Sequence, residues 1–272
     1  VKIKKILNNN AVVILDNNEE KIAIGSGIAF QKKKNDIINT NNIEKIFVLK
    51  ENEKFQQLLL KIPEEHFSLS EEIISYAEEY LDLKLNDHVH ITLTDHLSFA
   101  IERVREGIQL ENKLFNEIKV LYKKEFEIGM WALKHIEHKL QVKMPIDEAA
   151  YIALHIHTSK PQSNNMKQTL RQTAIISDMI QMIRDYLDIS IEEDDLSYHR
   201  LISHLRFTVS RIKNSELHTM DDEMLKMIKK KFPISFKCSK SVATNLLDKY
   251  GIQLPEEELG YLTLHIERIR KK

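Results

Sequence analysis

His96-Leu97-Ser98-Phe99-Ala100-Ile101-Glu102-Arg103-Val104 returns about 110 residues later as His204-Leu205-Arg206-Phe207-Thr208-Val209-Ser210-Arg211-Ile212. His, Leu, Phe and Arg keep their offsets, and apolar residues replace apolar residues. A second pair of stretches repeats the pattern. Pro145-Ile-Asp-Glu148-Ala-Ala-Tyr151-Ile-Ala-Leu-His155-Ile156 becomes Pro255-Glu-Glu-Glu258-Leu-Gly-Tyr261-Leu-Thr-Leu-His265-Ile266. The period is far longer than the roughly 20–50 residues of solenoid repeats, so the unit that was duplicated is a domain. A core pattern alone does not require histidines, yet two of them recur in each copy.

The apolar spacing around these histidines is helical. Val89, Leu93, Leu97, Ala100 and Val104 make one stripe of a helix that Asn86 is placed to cap and that ends near Gly107. Ser68-Leu-Ser-Glu71 fits a capping box for an earlier helix with Ile73, Ile74, Ala77 and Leu81 on its face. Residues 114–140 read as further helix. Pro145 opens the next, with Asp147 and Glu148 in its first turn. Pro161-Gln-Ser-Asn-Asn is a linker, after which the plan repeats, including an amphipathic run Met220–Lys231 that leads to Pro233. On these helices each of the four histidines falls at the edge of an apolar stripe, partly covered, with a ring edge able to reach a groove.

The first 50 residues follow a different period. Lys2–Leu7, Ala11–Asp16, Lys21–Ile24 and Lys45–Leu49 read as short strands, with Asn8-Asn9-Asn10 and Asp16–Glu20 as turns and Gly25-Ser26-Gly27 leading into Ile28–Gln31. This is an antiparallel meander too small for a comfortable core, which favours dimerisation. The fold class is therefore multi-domain: a small antiparallel β domain followed by two duplicated all-α helical bundles.

Composition narrows the function. The 272 residues are 42% hydrophobic and 30% charged, as in a soluble globular protein. A single cysteine, Cys238, rules out an internal disulfide framework and fits a reducing compartment, and no stretch has the apolar length of a membrane span or a signal region, so a cytoplasmic location without membrane insertion is expected. Residues 1–57 hold ten lysines against seven carboxylates, whereas the remainder has 30 basic against 34 acidic side chains. A basic head on acidic modules hints at a polyanionic partner.

The histidines admit four readings. A single one is readily explained as a core-edge residue with one satisfied nitrogen, but four in duplicated surroundings are not. The pairs His88/His90, His135/His138 and His155/His157 lack the three or four converging ligands of a metal site, and no cofactor motif occurs. No Ser-His-Asp or Cys-His spacing marks an enzyme. Reversible phosphorylation needs only a positioned neutral imidazole, and it adds roughly two negative charges at a helix edge.

Asn8-Asn9-Asn10, Gly25-Ser-Gly27-Ile-Ala-Phe30-Gln31-Lys32-Lys33, Leu93-Thr-Asp95-His96, Ala153-Leu-His155-Ile, the His204 segment and Leu262-Thr-Leu-His265-Ile together carry a resemblance that spans the chain. The sequence resembles the bacterial BglG/SacY-type transcriptional antiterminators. The resemblance implies a CAT (co-antiterminator) RNA-binding domain over 1–57, a first PTS regulation domain (PRD) over 63–168 and a second over 169–272. It implies a homodimer that binds a leader mRNA hairpin overlapping a terminator in a sugar-utilisation transcript. RNA contacts would fall on Lys5, Asn8, Asn10, Gly25, Ser26, Gly27, Phe30, Gln31 and Lys32. That set is chemically apt, since amides read exposed base edges, an aromatic ring stacks on a splayed base and lysines meet phosphate. Regulation would fall on His96 and His155, phosphorylated by a sugar-specific enzyme II permease, and on His204 and His265, phosphorylated by the HPr phosphocarrier. His157 has no counterpart, since Glu267 takes its place, and reads as an incidental surface residue. The alternatives are a DNA-binding sugar-operon regulator, whose head would be helix-turn-helix, and a phosphorylation-controlled scaffold that binds no nucleic acid.

Overall fold

The computed structural model describes residues 1–16, 19–25, 27–47, 59–192, 195–214 and 220–271. Ser26, the turn residues Asn17 and Asn18, and the far ends of the last expected strand and of the head lie outside the described residues. The chain divides into two compact units, one made of Val1–Asn112 and Lys124–Asn165, the other of Lys113–Lys123 and Met166–Lys272.

The first unit begins with strands β1 (Ile3–Asn8), β2 (Ala11–Asp16), β3 (Glu19–Ile24) and β4 (Lys45–Phe47), paired antiparallel in sequence order. In β2 the residues Ala11, Val12, Val13 and Ile14 are all buried, a continuous apolar run rather than an alternation. The reason is that both faces of the sheet are covered. Val12, Ile14 and Ala23 pack under the loop residues Ile28, Ala29 and Ile38. Leu7, Ala11, Val13, Ile22 and Ile24 pack against Leu59 and Phe67 of the helical part. The small head thus completes its core on its own chain. Ile28–Gln31, next to the last glycine of the loop, is a turn and pairs with no strand.

The helices of this unit are α1 (Glu64–Leu81), α2 (Val89–Arg105), α4 (Lys123–Leu140) and α5 (Asp147–Thr158). Helix α1 starts four residues before the expected capping box. Pro63 sets the entry and Glu64 and Glu65 occupy the first turn, while Ser70 sits inside the helix and donates to the His66 carbonyl at 2.8 Å. A fixed φ and two carboxylates at the dipole's positive end outweigh a serine cap. Likewise α2 is preceded by a turn in which Val89 N–H donates to the Asn86 carbonyl, and no side chain caps it.

The second unit contains α3 (Phe115–Leu121), α6 (Met166–Leu187), α7 (Leu196–Asn214), α8 (Asp222–Lys231), α9 (Pro233–Tyr250) and α10 (Glu256–Arg270). Helix α3, which precedes α4 in sequence, lies with this unit: the Leu121 carbonyl accepts from Arg206 Nη1 at 3.2 Å, and Tyr122 Oη lies 3.4 Å from Thr173 Oγ1. Cys238 is buried in α9, and burial pushes its thiol up to about 12, which makes it inert. No helix among the described residues is long and apolar enough to cross a membrane.

Gly129 is where α4 meets α5. A Cβ there would come 2.3 Å from the backbone oxygen of Ala149, and backbone cannot yield as a side-chain tip can. Gly129→Ala is expected to lower the stability of the first unit by about 1–3 kcal/mol or more, as overpacking does. Thermal and urea melts of the variant measure this.

Candidate functional site

Each unit brings two of the repeated histidines into ring contact. His96 on α2 and His155 on α5 have ring centroids 4.8 Å apart, and His204 on α7 and His265 on α10 are 4.6 Å apart. All four are half-buried. The side chains of His96 and His204 are 17% and 13% exposed, neither dry nor freely solvated.

The same three neighbours surround each pair. Tyr151 lies 5.7 Å from His96, and Tyr261 lies 6.4 Å from His204, centroid to centroid. Glu148, fully buried, holds an ion pair with Arg103 through one oxygen and faces His96 Nε2 at 3.1 Å with the other. Glu258 repeats this, with Arg211 Nη2 at 3.2 Å from Oε1 and His204 Nε2 at 3.6 Å from Oε2, and it also accepts from Thr208 Oγ1 at 2.8 Å. A carboxylate buried this deeply is tolerated because the arginine balances its charge. These four residues were missed as site residues in the sequence, where Glu148 reads as a first-turn acid favouring the helix dipole. The signal was there: Arg103 and Arg211, and Glu148 and Glu258, hold matching places in the two repeats.

Electrostatics keeps the rings nucleophilic. Burial, with smaller contributions from the neighbouring His96 and His88, pushes His155 down to about 3. Burial also lowers His265, helped by Arg268 and Arg200. Both are neutral at pH 7 and keep a nitrogen lone pair. One turn beyond His96 and His204, Phe99 and Phe207 are exposed, although their repetition looked like core patterning.

Three of the other histidines have structural partners. His90 Nδ1 lies 2.6 Å from Glu71, and His135 Nε2 lies 2.5 Å from Glu72. His157 is no incidental surface residue, because its Nδ1 lies 3.1 Å from the buried carboxylate of Glu125, which Lys160 also reaches at 2.6 Å. Burial raises the Glu125 pKa, but these two partners outweigh it and bring the group down to about 2. Among the described residues no group of three or more His, Cys, Asp or Glu is arranged to hold a metal ion.

On the head, the Asn turn and the glycine loop are laced together. Asn8 Oδ1 accepts from Asn10 N–H at 2.9 Å, and Asn10 Oδ1 accepts from Gly27 N–H at 2.6 Å. Gly25 N–H donates to the Asn10 carbonyl at 3.0 Å. Gly25 is buried, and a Cβ there would meet the Asn42 carbonyl oxygen at 2.0 Å, so its place in the loop is one of packing. The asparagine oxygens thus build the loop, and the Asn8 amide nitrogen is itself buried. The loop presents Phe30, 62% exposed, followed by Gln31 in the left-handed region at φ 57° and then exposed Lys32. Lys5 is exposed on β1. Ser26 lies outside the described residues.

Comparison with known proteins follows the same division. A model of the CAT RNA binding domain matches residues 1–56, and a model of the PRD domain matches twice, at 71–159 and 177–269. The chain is 39% identical to the transcription antiterminator LicT of Bacillus subtilis (strain 168), with all of both chains covered. It is 36% identical to a beta-glucoside operon antiterminator of Dickeya chrysanthemi, covering 100% of this chain and 98% of that one. It is also 30% identical to the protein GlcT of Staphylococcus saprophyticus, covering 97% and 95%. Among solved structures it matches a crystal structure of GlcT CAT-PRDI with a TM-score of 0.54 and 34% identity, over 58% of this chain and 96% of that one.

A histidine depressed in the folded state binds its proton more tightly when unfolded, so stability rises with pH between the two values. For His155 that window runs from about 3 to 6.5. His155→Gln is expected to flatten this part of the stability profile of the first unit, as read by thermal melts across pH.

Proposed function

The chain belongs to the family of transcription antiterminators that join a CAT RNA binding domain to two PRD domains, and on that basis we propose that it binds a leader mRNA hairpin as a homodimer and prevents a terminator from forming in a sugar-utilisation operon. The duplicated half-buried histidine pairs carry the regulatory part of this reading. Each combines a neutral imidazole, His155 or His265, with a charge-balanced buried wall at a half-buried ring pair, a setting suited to a phosphoryl acceptor.

The control we infer is phosphorylation of His96 or His155 by a sugar-specific enzyme II permease, which inactivates, and of His204 or His265 by HPr, which activates. The protein is an acceptor and an RNA binder, not an enzyme, and works in the cytoplasm. Lys5, Asn8, Asn10, Gly25, Ser26, Gly27, Phe30, Gln31 and Lys32 contact the RNA. The exposure of Phe30 and Lys32 supports this, as does the lacing that aims their loop. The exposed Phe99 and Phe207 give a second copy or a donor protein an apolar foothold beside each pair. A helix-turn-helix DNA reader finds no support, because the head is a sheet.

Phe30→Ala is expected to weaken leader-RNA binding about ten-fold or more, since stacking is worth about 1–3 kcal/mol per base, while the helical melting transitions stay unchanged. Gel shifts with leader RNA and with operator DNA measure this and separate the two readings. Incubation with phosphoenolpyruvate, enzyme I and HPr is expected to place acid-labile phosphate on His204 or His265. A His204→Ala/His265→Ala chain labelled as fully as the wild type overturns that assignment.

A further inference from the structure

We propose that Glu148 and Glu258, each balanced by an arginine from the histidine's own helix, are positioning residues that hold the rings of His96 and His204 with Nε2 turned inward, so that phosphoryl transfer to His96 takes place at Nδ1. This rests on the reading of the rings as phosphoryl acceptors and adds the atom and the residues that select it.

The geometry leaves one choice. His96 Nε2 is buried and faces Glu148 Oε2 at 3.1 Å, and neither atom has a hydrogen-bond partner elsewhere among the described residues. A phosphorus atom with three oxygens has no room between them, and its two negative charges would lie against a carboxylate. With Arg103 on its other oxygen, Glu148 offers His96 an acceptor, which places the proton on Nε2 and leaves the lone pair on Nδ1. In the second unit Glu258, Arg211 and His204 repeat the inner wall, with Nε2 at 3.6 Å, but His204 Nδ1 is buried as well, so the geometry selects the acceptor atom only for His96. Two copies with diverged surroundings keep one inner wall.

The step balances. The Nδ1 lone pair of His96 forms a bond to phosphorus, the bond between phosphorus and the donor's leaving atom breaks, and its electron pair returns to that atom. The His96 ring becomes an imidazolium that keeps its Nε2 proton. Glu148 sits where that positive charge develops, so the carboxylate stabilises the transfer without moving a proton. It touches neither phosphorus nor donor and acts only through the ring.

The test uses the full chain with 15N-labelled histidine, the ring signals being assigned with His96→Gln and His204→Gln variants. Long-range 1H–15N spectra are expected to show the Nε2–H tautomer for both rings before any reaction. After treatment with phosphoramidate, 31P-coupled spectra are expected to show phosphate at Nδ1 of His96. In Glu148→Gln/Arg103→Met, which removes both charges together, the tautomer preference of His96 is expected to disappear. Its phosphorylation rate is expected to fall about ten-fold or more, the worth of one hydrogen bond to a charged group. The second unit serves as internal control, and Glu258→Gln/Arg211→Met as the reciprocal test should the first variant fail to fold. A purely packing role for the glutamates would leave the tautomer unchanged. The Nδ1–H tautomer in the wild type, phosphate at Nε2 of His96, or an unaltered rate in the variants overturns the proposal. If no histidine accepts phosphate, the functional reading fails instead, and the tautomer spectrum still decides whether the glutamates position the rings.

Discussion

A carboxylate with no exposure to solvent dictates much of this structure. Glu148 on α5 is 0% exposed, and an ion buried this deeply costs several kcal/mol unless a partner charge comes with it. Arg103 on α2 supplies that charge, which binds the two helices together at a fixed register. His96 lies two turns before Arg103 on α2, and His155 two turns after Glu148 on α5. Locking the arginine to the glutamate therefore brings the two imidazoles face to face. The ring pair is a geometric consequence of the ion pair, and the second unit obtains its own ring pair through Glu258 and Arg211.

Around this shared wall the units have diverged in a compensated way. In the first, α4 carries the buried carboxylate Glu125, and α5 carries its partner His157, with Lys160 beyond the end of the helix. In the second, α9 carries the hydroxyl Ser235, and α10 carries the carboxylate Glu267, which accepts from Ser235 at 2.6 Å and pairs with Arg270. The acid has changed helices, and its partners have changed with it. Such a contact can be rewritten as long as every buried polar atom stays satisfied. The histidine–glutamate–arginine group was not rewritten, which separates what holds the helices together from what the histidines need.

The repeat made the two helical modules and the four histidines legible, because helical spacing and duplication are both written in one dimension. The sheet was legible for a similar reason, down to the Asn turn. What a single stretch could not reveal was pairing across elements. Glu148 reads as a helix-start acid and Arg103 as a surface cation until α2 and α5 are brought together. His157 reads as idle until Glu125 is found beneath it. Ser68 reads as a cap because local pattern favours it, but Pro63 and two glutamates start the helix earlier. Phe99 and Phe207 show the opposite error. They repeat like core residues yet stand in solvent, since the stripe that buries Leu97 and Leu205 leaves the residue two positions on outside.

The arrangement also explains why a phosphoryl group can act as a signal here. With His155 and His265 neutral, neither half-covered pair sets two positive rings against each other. A phosphate on one ring brings roughly two negative charges within a few ångströms of a carboxylate that cannot move and of a second imidazole that is then drawn toward protonation. His155, held down to about 3 by burial, would regain affinity for a proton beside such a charge. The helix edge must then either open to water or recruit a cation from outside. In the second unit Arg200 and Arg268 already lie near His265, whereas the first unit has Thr92 and Thr158 at the matching places. The same modification would therefore meet the arginines Arg200 and Arg268 in one unit and threonines at the matching places in the other.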